Sequence, residues 1–114
     1  MISGLTIEVG GRSERLRMTT RAMMALEDQY DQPIVAIVQG LQDDPRIGTV
    51  VRVIAQCGND GDGMEVSQAQ EIVDQIGFEV ATTTLGNLVE KAFPEAVEKE
   101  APAKNRKGAG QTKK

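Results

Sequence analysis

Residues 18–41 read MTTRAMMALEDQYDQPIVAIVQGL and predict two short helices joined at a proline. A hydroxyl at Thr19 or Thr20 can accept a hydrogen bond from an amide of the first turn, which predicts a helix start there. Pro33 interrupts the pattern and suits the first turn of a second helix, and Gly40 marks the end of that helix. Apolar residues recur at three- and four-residue spacing, which gives each helix one face to bury. These faces comprise Ala22, Met23, Leu26 and Tyr30 in the first helix and Ile34, Val35, Ile37, Val38 and Leu41 in the second.

Upstream of this stretch, the sequence predicts a β-hairpin. Apolar and polar residues alternate over residues 5–9, and the alternation resumes at Leu16 and Met18. Gly10 and Gly11 lie between the two runs and tolerate the positive φ angles of a tight turn. A lone hairpin is marginal in water, so its apolar face must lie on the helices or pair with another chain. Both alternatives stay open for the face formed by Leu5, Ile7 and Val9.

A third helix is predicted downstream, with Asp44 as N-cap, Pro45 at the first helical position and Gly58 as the C-terminal cap. Its buried face is predicted to hold Ile47, Val50, Val51, Ile54 and Cys57. Residues 59–63 read NDGDG, but no register of this stretch places carboxylates at the first and last ligand positions of a calcium loop. We therefore interpret it as a polar connection between helices.

Two more helices complete the predicted bundle. A capping box from Ser67 to Gln70 begins the fourth helix, and Gly77 ends it. The fifth helix begins within residues 79–84 at a threonine and stops before Pro94, and Gly86 weakens its interior. Their buried faces are Ala69, Ile72, Val73 and Ile76, and Leu85, Leu88, Val89, Ala92 and Phe93.

Composition limits the class of protein. With 114 residues, 39% of them hydrophobic and 26% charged, the chain fits one small domain with an aliphatic core. No apolar run approaches the roughly 20 residues that span a bilayer, and the first residues do not resemble a signal peptide, so we expect a cytoplasmic protein without membrane contact. The single cysteine, Cys57, and the absence of histidine exclude a Cys/His zinc site and histidine-based catalysis within this sequence. We find no catalytic, metal-binding or cofactor-binding constellation and expect no enzymatic activity.

Charge divides the chain into two parts. Residues 1–94 hold seven Arg or Lys against fourteen Asp or Glu, a net charge of −7, whereas residues 95–114 carry +3. The acidic part argues against a nucleic-acid platform, since phosphate binding needs clustered cations. The basic part is rich in Lys, Ala, Pro and Gly, which predicts a disordered tail. We therefore expect a helical domain over residues 1–94 and a disordered tail over residues 95–114.

The order of these segments along the chain resembles that of a known protein family. A hairpin with GG at its turn precedes LRMTTRAMMALED, then PIVAIVQGL, DPRI and finally SQAQEIVDQIGF. Over residues 3–93 the chain resembles the tail assembly chaperone family of phages and gene transfer agents, whose members are also labelled tail tube proteins. The resemblance implies a non-enzymatic protein of the bacterial host cytoplasm. It would coat the tape-measure protein, help to recruit tail tube subunits and leave before the tail is complete.

Candidate contact residues follow from the same comparison. A Met-containing aliphatic face can cover apolar helices without strict complementarity, which points to Met18, Met23 and Met24, although methionine also fills cores. Of these, Met24 lies away from the stripe of Ala22 and Leu26 and is the sharper candidate. The hairpin face formed by Leu5, Ile7 and Val9 is a second candidate surface, and a homo-oligomer is possible.

Two other functions stay open: a structural tail protein retained in the phage or prophage particle, and a generic bacterial protein-binding adaptor.

Overall fold

The computed structural model describes residues 3–93, which form a two-stranded hairpin followed by five helices. This confirms the predicted small, mainly helical bundle with an N-terminal hairpin, whereas the tail predicted over residues 95–114 lies outside the described residues. Within residues 3–93 no helix combines the length and apolar character needed to cross a membrane. The elements are β1 (Leu5–Val9), β2 (Arg12–Leu16), α1 (Thr20–Tyr30), α2 (Ile34–Asp43), α3 (Ile47–Gly61), α4 (Val66–Ile76) and α5 (Phe78–Ala92).

The hairpin closes at the two predicted glycines. Gly10 and Gly11 have φ angles of 55° and 85°, as a two-residue type I′ turn requires. The strands pair antiparallel, and Val9 lies opposite Arg12 next to the turn. β2 packs on α3, and the Arg17 amide donates to the Cys57 carbonyl across 3.0 Å. The hairpin therefore lies against the helices through β2.

The joint between α1 and α2 follows the prediction with one shift. Thr19 is the N-cap of α1, and its hydroxyl accepts from the Ala22 amide at 3.2 Å. Pro33 is the N-cap of α2 rather than its first helical residue. The Glu27 carboxylate accepts from the Ile34 amide at 2.8 Å, so a side chain of α1 caps α2. This hydrogen bond couples the orientations of the two helices.

The boundary between α2 and α3 differs from the prediction. α2 continues past Gly40 to Asp43, because Gly40 does not adopt the positive φ of a left-handed C-terminal cap. Asp44 is not the N-cap of α3; that position belongs to Arg46, which has extended φ and ψ angles of −100° and 140°. Pro45 disfavours a helical conformation in the residue before it, and here the extended backbone continues through Arg46. α3 therefore begins two residues later than predicted, without a side-chain cap.

In contrast to α3, helices α4 and α5 begin earlier than predicted. The capping box that forms is Glu65 with Gln68, not Ser67 with Gln70, and the Glu65 amide donates to the Gln68 side chain at 3.0 Å. α5 begins at Phe78 rather than at a threonine in residues 79–84. Gly77, with φ of 91°, both ends α4 and directly precedes α5, so no separate linker exists between them.

The core is aliphatic, as predicted, and draws on every element. Two residues assigned to buried faces are instead exposed: Val35 on α2 and Ile47 at the first position of α3. Both lie at the margin of their apolar stripe, where the neighbouring helix does not cover them. The fully buried side chains of largest volume are Leu16, Met18, Leu26, Ile54, Ile72, Leu85 and Leu88, followed by Val9, Val50, Val53 and Cys57.

Gly86 offers a test of helix propensity in α5. A Cβ at this position meets no atom within 4 Å, and no positive φ is recorded for it. Gly86→Ala should therefore raise the free energy of unfolding by about 0.5–1 kcal/mol, because alanine loses less backbone entropy in a helix. Chemical denaturation measures this change. A loss of stability would show that the space at Gly86 is needed for packing.

Candidate protein-binding surface

The predicted contact residues do not share one surface. Met18 is 0% exposed, and Val9 is also buried, so neither can contribute to a partner surface in this conformation. Met18 follows β2 and precedes α1, where the hairpin and the bundle both cover it. Here methionine fills the core, which was the alternative left open by the sequence.

The other four candidates have some exposure. Met23 is partly buried and packs on the core, whereas Met24 is 60% exposed on α1. Leu5 and Ile7 are partly buried and line a groove of about 470 Å³ between β1 and α5. Met24 does not line this groove. The sequence therefore identified separate surface features rather than a single site.

A groove between α3 and α4 is an open, mainly apolar feature of the described residues. Its volume is about 370 Å³. Ile47 and Val66, which are 54% and 44% exposed, border it, and Val51 and Val73 form its base. In helix-in-groove complexes of other proteins, an amphipathic helix lays its apolar face into an exposed apolar cleft. Sequence reasoning assigned Ile47 to the core and did not consider Val66.

Local structure explains how the groove stays open. Ile47 and Val66 are the first residues of α3 and α4, and each side chain lies at the rim rather than between the helices. Gly48 lines the α3 side of the groove without a side chain of its own. Arg52 and Asp74 line the groove from opposite helices. An apolar base with one charge of each sign at its border suits a helix that carries its own mixed charges beside an apolar stripe.

The groove between α2 and α5 is the closest competitor. It has a volume of about 320 Å³ and is lined by Val38, Val50 and Val89 at its base, with Thr82 and Thr83 among its polar residues. None of the large apolar side chains that the structure exposes lies in this groove or in the β1–α5 groove. The α3–α4 groove is thus the one of the three that presents protruding apolar groups to solvent.

The NDGDG segment forms a structural junction at the end of α3. Asn59 and Asp60 adopt left-handed conformations, with φ angles of 51° and 58°, after the helical geometry breaks at Gly58. The Asp60 carboxylate lies 3.3 Å from Arg15 and 3.4 Å from Arg17, two cations of the hairpin region. Among residues 3–93 no three His, Cys, Asp or Glu side chains gather in a way that could hold a metal ion.

Residues at the start of α1 complete this junction. Arg21 donates from Nε to the Gly61 carbonyl at 2.9 Å and from Nη2 to the Gln56 carbonyl at 2.7 Å. The Thr19 hydroxyl also donates to the Gly61 carbonyl, at 3.1 Å. Cationic and hydroxyl donors thereby satisfy carbonyls that the end of α3 leaves without helical partners. The sequence signal for this junction is the set of arginines at positions 15, 17 and 21, whose contacts depend on the tertiary structure.

Cys57 lies in the core beneath this junction. Burial raises the pKa of the Cys57 thiol from 9.0 to about 12, while the nearby Arg21 guanidinium acts in the opposite direction. The thiolate is the reactive form, so a rise of this size lowers its fraction at neutral pH by about 1,000-fold. The structure thus assigns Cys57 to packing, in agreement with its predicted place on the buried face of α3.

A labelling experiment checks the state of this thiol. Iodoacetamide at pH 8 should modify Cys57 in the folded protein far more slowly than in guanidinium chloride. Because the folded thiol keeps its proton above pH 9 while the unfolded thiol loses it, this group should also reduce stability as pH rises from about 9 to about 12. Equal labelling rates in both states would contradict the buried position.

Comparison of the chain with protein families, with curated proteins and with solved structures found no match.

Proposed function

We propose that this protein is a tail assembly chaperone of a phage, prophage or gene transfer agent, without enzymatic activity. It would bind apolar helical segments of the tape-measure protein and help to recruit tail tube subunits. The observation that carries the proposal is the α3–α4 groove, in which Ile47 and Val66 protrude beside an apolar base. The family resemblance over residues 3–93 supplies the identity of the partner, and the groove supplies a place to bind it.

The chemistry of such a partner suits this surface. A tape-measure protein is a long helical chain with apolar faces that would aggregate when uncovered. Helix-in-groove binding uses apolar anchors spaced by one helical turn, and the valines and isoleucine of the groove can contact them. A net charge of −7 over residues 1–94 would keep a coated assembly soluble by mutual repulsion. Cytoplasmic location in the bacterial host belongs to the same proposal.

Co-expression with the tape-measure protein of the same tail gene cluster tests the proposal. The chain should increase the soluble fraction of the tape-measure protein and co-purify with it. The double substitution Ile47→Asp with Val66→Asp should abolish co-purification, because two carboxylates would be buried against an apolar helix. Both sites lie in the first turn of a helix, where aspartate is compatible with the helix dipole, so the fold should survive.

A matched control comes from α5. Val80 is 53% exposed, lies in the first turn of α5 and is outside the α3–α4 groove. Val80→Asp therefore makes the same chemical change at a similar position and should leave co-purification intact. If the tape-measure protein is equally soluble alone, or if the groove variant binds as well as the control, the proposal fails.

Finished particles distinguish the chaperone from a structural tail protein. A chaperone that leaves before completion should be absent from purified virions, whereas a retained component would be present at a fixed ratio to tube subunits. Mass spectrometry of purified particles measures this ratio. Binding to unrelated proteins with no preference for the tape-measure protein would instead favour a general adaptor.

A further inference from the structure

The outer edge of β1 is an unpaired strand edge with a defined hydrogen-bonding pattern. The register pairs Val9 with Arg12 across a two-residue turn, so these two residues exchange backbone hydrogen bonds. The pattern alternates along the strand, which directs the backbone groups of Leu5 and Ile7 toward β2 and those of Thr6 and Glu8 away from it. Within residues 3–93 no backbone hydrogen bond outside the hairpin reaches Thr6 or Glu8.

Space is available beside this edge. The groove of about 470 Å³ between β1 and α5 borders the first part of this edge and is lined by Leu5, Thr6 and Ile7 on the strand and by Thr84, Asn87, Glu90 and Lys91 on the helix. No proline and no lysine in residues 5–9 protects the strand, although proteins commonly use such residues to block edge pairing. An added strand would extend a two-stranded ribbon that is marginal by itself.

We propose that this edge pairs with β1 of a second copy of the chain, antiparallel and centred on Ile7. In this register Thr6 of each copy lies opposite Glu8 of the other, and these are the residues whose backbone groups point outward. About four hydrogen bonds between the copies would form a continuous four-stranded sheet. The same patch serves both subunits, as a two-fold interface requires.

Charge complementarity selects a second copy as the occupant. On the outward face Arg15 of β2 lies opposite Thr6, and Arg15 Nη1 donates to the Thr6 hydroxyl at 3.2 Å. The proposed register continues this row with Glu8 of the second copy, so its carboxylate lies one strand beyond the Arg15 guanidinium. The Arg15 guanidinium, which also contacts Asp60 at 3.3 Å, reaches across Thr6 toward this carboxylate, and charges of opposite sign stabilise such an arrangement. The two Glu8 side chains are diagonal to each other rather than directly opposite. The inward face brings the two Ile7 side chains together.

Size-exclusion chromatography with light scattering of the full chain, over a range of concentrations, tests the proposal. The wild type should show a dimer that dissociates on dilution. Glu8→Pro removes an outward amide of β1 without removing a hydrogen bond to β2, and should raise the dimer Kd by at least about tenfold. Circular dichroism and thermal unfolding verify that this variant remains folded.

Ser13→Pro is the matched control. Ser13 lies opposite Glu8, and its hydroxyl donates to the Glu8 carboxylate at 2.8 Å, so either proline variant loses this same hydrogen bond. Only Glu8→Pro blocks the β1 edge, and Ser13→Pro should retain the dimer. A wild type that is monomeric at every concentration, or a dimer equally sensitive to both substitutions, overturns the proposal.

A charge exchange tests the register directly. In an Asp60→Asn background, which removes the carboxylate that lies 3.3 Å from Arg15, Glu8→Arg and Arg15→Glu should each weaken the dimer. The double variant should restore it, because the row of Arg15, Thr6 and Glu8 is then rebuilt with the signs reversed. Failure of the double variant to recover dimerisation relative to both single variants would overturn the register. These readouts do not involve the tape-measure protein, so they are independent of the proposed chaperone function.

Discussion

Met18→Ala is expected to lower the free energy of unfolding by about 2–5 kcal/mol. Met18 is fully buried and belongs to the cluster that joins the hairpin to the bundle. Truncation to alanine removes three heavy atoms from this cluster and leaves a cavity, which adds to the lost transfer free energy. Since a small domain has a total stability of only about 5–15 kcal/mol, the change is a large fraction of it. Denaturant titration followed by circular dichroism measures the effect.

Met24→Ala is the matched control for this prediction. Met24 lies six residues further along, within α1, and is mostly exposed, so its truncation should change stability by no more than about 0.5 kcal/mol. The two variants remove the same side chain from the same short segment. If Met24→Ala were as destabilising as expected for Met18→Ala, the surface position of Met24 would be wrong, and a small effect of Met18→Ala would contradict the burial of Met18.

This pair of methionines shows what periodicity can predict. Ala22 and Leu26 were assigned to the core of α1 because they repeat at helical spacing, and both are fully buried. The same spacing separated Met24 from them. Met18 precedes the helix, so helical periodicity did not apply to it. The strand alternation placed it on the same face as Leu16, and the packing of β2 against α3 buries that face.

A helix can begin at any of several capping residues, and the sequence alone does not show which of them is used. The segment from Glu65 to Gln70 contains two capping boxes in overlapping registers, and the one at Glu65 forms. The residue just before this box is also held by α3, since the Met64 amide donates to the Ala55 carbonyl at 2.7 Å. The helix therefore begins at the end of a connection anchored on α3 rather than at Ser67, which has the more usual N-cap residue type.

The sequence predicted the two helices that form the α3–α4 groove but not the groove itself. Both helices and their apolar stripes were identified, but a groove exists only once their relative placement is known. Val66 lies outside the predicted buried face of α4, and Ile47 was placed inside that of α3. Their common location at the rim follows from the contact between the two helices, which residue spacing within each helix does not contain.

Gly61→Ala is expected to lower the free energy of unfolding by about 2–5 kcal/mol, through two effects of similar size. The φ angle of Gly61 is 92°, a conformation that an L-amino acid adopts only with strain. A Cβ here would also contact the Thr19 methyl group and lie 3.1 Å from the Arg17 carbonyl oxygen. Movement of the loop to relieve this contact would pull the Gly61 carbonyl away from Thr19 and Arg21, which both donate to it.

Gly11→Ala separates these two effects. Gly11 has a similar φ of 85°, yet a Cβ there meets no atom within 4 Å. Its substitution should therefore cost only the conformational part, about 1–2 kcal/mol, and leave the α1 cap undisturbed. Equal losses for the two variants in a denaturant titration would contradict close packing at the junction. A larger loss for Gly61→Ala is expected because this glycine lies where the hairpin exit, the α1 cap and the end of α3 meet, so a single added methyl group strains three elements at once.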